Sequence, residues 1–165
     1  MVEMELVGVR VELPTNVPIV LLRETEGDRR VLPIFIGSPE ATAIAFALER
    51  VETPRPMTHD LLKNVLDELG VSIERIVVTE LRDSTFFAEL HLTRNGRAHT
   101  VSSRPSDAIA LAVRTGTRIF AEETVLAEAA YPAEAAEEKP GEEQDEVVEQ
   151  FREFIEHVKP EDFGG

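Results

Sequence analysis

The chain has 165 residues, 42% of them hydrophobic, enough for one domain with a proper core and too few for two full ones. It contains no cysteine, which excludes disulfides, thiolate catalysis and cysteine-based zinc clusters, so any metal site must use histidine, carboxylates and water. The net charge of -15 is uneven: residues 1–120 hold 14 basic and 17 acidic side chains, a net of -3, whereas residues 121–165 hold 3 and 15, a net of -12. The tail makes the protein acidic and works against a polyanionic partner, while the body carries arginine almost exclusively, with Lys63 the one lysine. No apolar run reaches the ~18 residues of a membrane span, and Met1-Val2-Glu3-Met4-Glu5 lacks the basic and apolar blocks of a signal peptide, so the expected location is the cytoplasm, away from membranes.

Alternating or β-branched runs predict strands at Met4 to Leu13, Pro18 to Arg23 and Arg30 to Ile36, separated by the turn signals Pro14-Thr15-Asn16 and Glu26-Gly27-Asp28. Ser38-Pro39-Glu40 then reads as a cap with proline at the first helical position, opening a helix over Ala41 to Arg50 whose Ala41, Ile44, Ala45 and Leu48 share a stripe. Thr58 is the expected cap of a second helix, His59 to Leu69, which sets Leu62, Val65, Leu66 and Leu69 on one side and stops at Gly70. Further strands are expected at Ile73 to Leu81, Thr85 to Thr93 and Ala98 to Ser102, with Asn95-Gly96 forming a two-residue hairpin turn. In Thr85 to Leu92, period-two alternation puts Phe86, Ala88, Leu90 and Leu92 on one face and Phe87, Glu89 and His91 on the other.

Ser103-Arg104-Pro105-Ser106-Asp107-Ala108-Ile109-Ala110-Leu111-Ala112 is the most informative stretch, because it sets a polar start directly onto an apolar helix. Pro105 keeps Arg104 out of helical geometry and suits the first helical position, so Arg104 is the cap and Asp107 the third helical residue. From Ala108 to Val113 every residue is apolar, as in a helix surrounded by other elements. The order βββ, αα, βββ, α implies an α+β domain: a largely antiparallel sheet with helices packed on one side or end.

That domain is expected to span 1–129. Residues 130–144, mainly Ala, Glu and Pro, read as an acidic flexible linker. In 145–165, Val147, Phe151, Phe154, Ile155 and Val158 recur at helical spacing and predict a C-terminal amphipathic acidic helix ended by Pro160. Its partner surface could be the body, a second subunit or another protein.

Pro33-Ile34-Phe35-Ile36-Gly37, Glu40-Ala41, Arg55-Pro56-Met57-Thr58-His59-Asp60-Leu61 and Ser103-Arg104-Pro105-Ser106-Asp107-Ala108-Ile109-Ala110 together resemble the bifunctional nuclease family over roughly residues 4 to 127. Several ordered motifs at family-like spacing are more specific than any single short match. Pro160-Glu161-Asp162-Phe163 is similar to the end of the family's acidic C-terminal helix. The resemblance implies DNase and RNase activity, a dimeric wedge-shaped α+β fold with a groove as its site, and Glu40, Thr58, His59, Asp60, Arg104, Ser106 and Asp107 as the positions that match the family's motifs.

Glu40, Asp60 and Asp107 each fall in the first turn of a predicted helix; if the three starts converge, they form an acidic mouth able to hold Mg²⁺ or Mn²⁺. His59 would serve as general base or metal ligand, and Arg104 would clamp the scissile phosphate. Ser106, between Arg104 and Asp107 in the sequence, joins the candidate catalytic set of Asp107, His59, Asp60, Arg104 and Ser106. Each residue also has a structural reading: acidic first-turn residues favour the positive helix end, Asp107 and Ser106 can bond first-turn amides, and His59 can be a packing histidine. His91 and His99, on strands flanking Asn95-Gly96, read as structural, and His157 has no claim to chemistry. No Walker loop, dinucleotide glycine pattern, Ser-His-Asp elbow or RNA-binding aromatic motif is present. Stacking on bases would fall to Phe86, Phe87 or arginine.

Two functions compete. One is a metal-assisted phosphodiesterase on DNA and RNA without much sequence preference; for it, Asp107→Asn is expected to abolish cleavage with little change in thermal stability. The other is a non-catalytic dimeric binding or regulatory module whose groove takes a peptide, a small anion or its own acidic tail. If the tail lies in that groove, deleting residues 130–165 raises binding or cleavage.

Overall fold

The computed structural model describes residues 1–133. The strands are β1 (Val2–Glu12), β2 (Val17–Glu24), β3 (Val31–Phe35), β4 (Ser72–Arg82), β5 (Thr85–Arg94), β6 (Arg97–Ser103) and β7 (Arg118–Ala121); the helices are α1 (Ser38–Leu48), α2 (Thr58–Glu68), α3 (Pro105–Thr115) and α4 (Glu123–Ala129). One seven-stranded sheet runs β3-β2-β1-β7-β4-β5-β6. Every pairing is antiparallel except β4 with β7, so the α+β expectation with a largely antiparallel sheet holds.

The local chemistry follows the sequence where turns are short. Asn95 (φ 51°) and Gly96 (φ 74°) form the two-residue turn between β5 and β6, with Arg94 opposite Arg97. Asp83 and Ser84 make a similar turn between β4 and β5 with φ values of 50° and 59°, a conformation in which aspartate is better tolerated than most residues. The alternation in β5 also holds: Ala88 and Leu90 are buried, with Phe86 and Leu92 packed against the same core.

Two elements were not legible. β7 pairs antiparallel with β1 through Val2–Ala121 and Met4–Ile119, and parallel with β4 through Ile76–Ile119 and Val78–Ala121. It therefore joins the β1–β3 meander to the β4–β6 meander. α4 follows at once and contributes buried Val125 and Leu126 to the core. Arg30 holds it in place, bonding buried Glu24 through Nε at 3.1 Å and Nη2 at 2.6 Å and reaching Glu123 at 2.9 Å. Those bonds hold the Glu24 carboxyl below its ordinary value against the opposing effect of burial.

The core is one layer of side chains between sheet and helices. Val20, Leu22, Leu32, Ile34, Ile76, Val78 and Ile119 from the strands meet Ile44 of α1 and Ile109 and Leu111 of α3. α3 is buried from Ala108 to Ala112, as its apolar run predicts, and ends at Gly116 in the left-handed region (φ 68°). α2 differs: His59 is its one buried residue, and Leu61, Leu62, Val65 and Leu69 beside it are exposed. Tyr131, at the start of the expected linker, bridges Val31 on the edge of β3. The rest of that linker and the expected helix of 145–165 lie outside the described residues.

Candidate functional site

The starts of α1, α2 and α3 lie side by side, linked through Glu40, His59, Arg104 and Asp107. At α1, Gly37 takes the N-cap position that the sequence suggested for Ser38. A side chain at Gly37 would collide with the Glu40 carboxylate, so the glycine leaves room for Glu40 to fold back over its own helix start. At α2 the cap is Met57 rather than Thr58, and Asp60 Oδ2 accepts the Met57 N–H at 3.0 Å. At α3 Arg104 is the cap and Pro105 opens the helix as expected.

Glu40, His59, Arg104 and Asp107 form one connected cluster across these starts. Asp107 Oδ1 lies 2.8 Å from His59 Nε2. Its Oδ2 accepts Arg104 Nε at 2.8 Å, and Arg104 Nη2 reaches Asp107 Oδ1 at 3.2 Å, which makes the pair bidentate. The same Nη2 donates to Glu40 Oε1 at 2.6 Å. The Asp107 carboxylate thus serves a histidine and an arginine rather than first-turn amides. Burial pushes the Asp107 carboxyl up, but the hydrogen bonds from Arg104 and His59 and their charges outweigh it, leaving it below its ordinary value. Arg104 is held more firmly protonated than usual by Asp107 and Glu40.

Exposure separates the roles. The Arg104 side chain is 64% exposed, while Glu40 and His59 are 13% and 10% exposed. The guanidinium is therefore fixed on one edge and open to solvent on the other. Its Nη1 bonds no group among the described residues. His59 is bound through Nε2, and its Nδ1 bonds no group among the described residues.

Asp60 and Ser106 stand apart from this cluster. Asp60 Oδ1 accepts Arg114 Nε at 2.7 Å, and Arg114 lies seven residues along α3 from Asp107, about 10 Å at the helical rise. Burial raises the Asp60 carboxyl, and the bonds from Arg114 and the Met57 amide more than reverse that. Ser106 is buried in the first turn of α3, with no side-chain hydrogen bond among the described residues. Arg114 is the residue the sequence reading missed; a basic side chain in the last turn of a helix is usually read as a response to the helix dipole, and its partner is 54 residues away. His91 pairs with Thr100 and lies near Glu89 and Arg75, on the sheet face away from the core.

The donors do not suit a carboxylate-held metal ion in this arrangement. Glu40 and Asp107 are tied to Arg104, and Asp60 to Arg114. No group of three or more His, Asp or Glu side chains among the described residues is placed to hold a metal. None of the described helices is long and apolar enough to cross a membrane.

The sequence compares as follows. An uncharacterized protein of Mycobacterium tuberculosis (strain H37Rv) is 46% identical over 163 residues, 98% of this chain and 97% of that one. Bifunctional nuclease 1 of Arabidopsis thaliana is 31% identical over 100 residues, 59% of this chain and 31% of that protein. Bifunctional nuclease 2 of the same plant is 32% identical over 107 residues, 62% and 32% respectively, so the shared region is about a third of each plant protein. The bifunctional nuclease domain matches residues 20–134, a span that holds all four residues of the cluster, and the chain belongs to that family.

Proposed function

We propose that this protein is a nuclease that hydrolyses phosphodiester bonds in DNA and RNA without much sequence preference, with its centre at His59, Asp107 and Arg104. The observation that carries the reading is the His59–Asp107 bond of 2.8 Å next to an exposed arginine with an unclaimed Nη1. Family membership and the names of the plant relatives support the same chemistry.

The roles follow from the bonds. Asp107 accepts the Nε2–H of His59, which fixes the tautomer and leaves Nδ1 basic. Nδ1 takes a proton from water as its oxygen attacks phosphorus; the bond from phosphorus to the leaving oxygen breaks, and solvent protonates that oxygen. The net change is addition of one water, and no 2′-hydroxyl is needed, which accounts for action on both nucleic acids. Arg104 Nη1 binds a non-bridging phosphate oxygen and stabilises the charge that builds there. Asp60, Ser106 and Glu40 touch no reacting atom in this scheme, and no step is assigned to Mg²⁺ or Mn²⁺.

One observation favours the second reading, a non-catalytic binding or regulatory module: Arg104 already faces two carboxylates, which makes the cluster a clasp between α1 and α3 as well as a site. We propose also that the protein works as a homodimer, since Leu61, Leu62 and Val65 of α2 and Leu69 at its C-cap are all exposed.

The deciding experiment is cleavage of labelled single-stranded RNA and duplex DNA by wild type and Asp107→Asn, each with Mg²⁺, Mn²⁺ or EDTA. Loss of roughly 10²- to 10⁴-fold in kcat in the variant is expected for a general base deprived of its orienting carboxylate. Equal cleavage by both proteins overturns the site assignment, and no cleavage by either selects the binding module. Activity that depends on added metal would bring in an ion held by donors other than this cluster.

A further inference from the structure

We infer that Arg114, acting through Asp60, is a positioning residue for the His59–Asp107 pair; the inference rests on the nuclease reading for its effect on rate, but not for its effect on geometry. Arg114 is buried, with a side chain only 8% exposed. Its guanidinium bonds three helices at once: Asp60 Oδ1 in α2 at 2.7 Å, the Ala43 carbonyl in α1 at 3.0 Å, and the Ala110 carbonyl one turn back in α3 at 2.8 Å. The Asp60 carboxylate uses its other oxygen on the Met57 amide. The first turn of α2 is therefore pinned at two consecutive residues, His59 by Asp107 and Asp60 by Arg114.

These two pins matter because little else holds α2. A helix in a domain is normally fixed by an apolar stripe against the core, yet the stripe of α2 faces outward and His59 is its one buried residue. Apolar packing tolerates sliding, whereas a planar guanidinium bonded to a carboxylate and two carbonyls fixes direction as well as distance. If the Asp60 pin is released, α2 can rotate or slide on α3, and the first distance to change is the 2.8 Å between His59 Nε2 and Asp107. Asp60 therefore serves the site at one remove, by holding the helix start that carries the histidine.

The test compares wild type with Arg114→Lys, Arg114→Met and the near-isosteric Asp60→Asn. In protein labelled at the histidine ring nitrogens, the His59 Nε2–H proton signal reports its hydrogen bond to Asp107. In Arg114→Met and Asp60→Asn this signal is expected to move upfield and exchange faster with water, while the methyl signals of Ile44 and Ile109 stay in place. On a dinucleotide substrate kcat falls roughly 10- to 100-fold, as a small misplacement of a catalytic group produces, with KM changed less than about twofold because Arg104 is untouched. Arg114→Lys, which keeps the charge but not the three-way fork, restores part of both. An unchanged His59 signal in folded Asp60→Asn overturns the inference, including the case in which Arg114→Met does not fold. If wild type cleaves nothing, the nuclease reading fails, and the His59 signal still decides the positioning role.

Discussion

Arg104 and Arg114 sit ten residues apart at the two ends of α3, and both bond carboxylates, but burial makes them different kinds of residue. Arg104 is mostly exposed, and exposed ion pairs contribute about 0–1 kcal/mol. Replacing Arg104 by methionine also leaves the Glu40 carboxylate, 13% exposed, without its donor, so a loss of about 1 kcal/mol is expected together with a rise in KM for nucleic acid, which calorimetry and steady-state kinetics on one preparation would show. Asp107→Asn is different from the small effect on stability that the sequence suggested, because Asp107 links α2 and the start of α3; about 1 kcal/mol is expected. The depressed carboxyls of Asp60, Asp107 and Glu24 set the acid limb of stability. Each is held below its unfolded value, so the stability it contributes is complete above that value, 3.8 for the aspartates and 4.5 for Glu24, and is lost as pH falls through the folded value. Urea unfolding followed between pH 6 and pH 2 should show a shallower loss in Asp60→Asn than in wild type; an identical slope would mean that Asp60 titrates as in the unfolded chain. Acidic first turns were legible from helix-start chemistry alone. Which carboxylate joined Arg104 and which joined Arg114 was not, since both partners depend on how α1, α2 and α3 pack.

Elements with strong periodicity or firm punctuation were readable, and the short buried ones were not. Pro105 opens α3 in the sequence and in the structure, where Gly116 closes it. Gly116 has positive φ and open space where a Cβ would lie, so Gly116→Ala meets no clash and isolates the backbone effect; a loss of about 1 kcal/mol is expected in chemical denaturation. β7 has only four residues, Arg118-Ile119-Phe120-Ala121, too few for alternation to stand out. Its place between β1 and β4 is a tertiary fact with no local signature. The stripe on α2 was legible as a stripe, yet periodicity reports only that a face is apolar, and here that face meets solvent. If a second copy covers it, Val65→Glu should shift sedimentation equilibrium from dimer to monomer without altering the circular dichroism spectrum; a variant that sediments as wild type does would place the contact elsewhere.

For the whole molecule, charge is the dominant property. Residues 134–165 contain twelve acidic and three basic side chains, so a chain ending at Ala133 would have a net charge of -6 instead of -15. A less negative protein approaches a polyanion more readily, and the gain is screened by salt because the Debye length is only about 8 Å at physiological ionic strength. The shortened chain is therefore expected to bind oligonucleotides more tightly at low salt, with the two proteins converging as salt rises. A difference that persists at high salt would instead point to direct occupation of the site by the tail, and equal affinities throughout would remove the tail from the problem.

The position of β7 also dictates an order of assembly. Its residues follow six strands and three helices in the chain, yet they bond the first strand on one side and the fourth on the other. During synthesis the β1–β3 and β4–β6 meanders can each form before the strand that unites them exists, and pairings so distant in sequence are slow to close. A nascent or truncated chain lacking Arg118 to Ala121 would carry two unpaired strand edges, β1 and β4, each able to capture a strand from a neighbouring molecule. The last short strand thus joins two adhesive half-sheets into one sheet by pairing the inner edge of each.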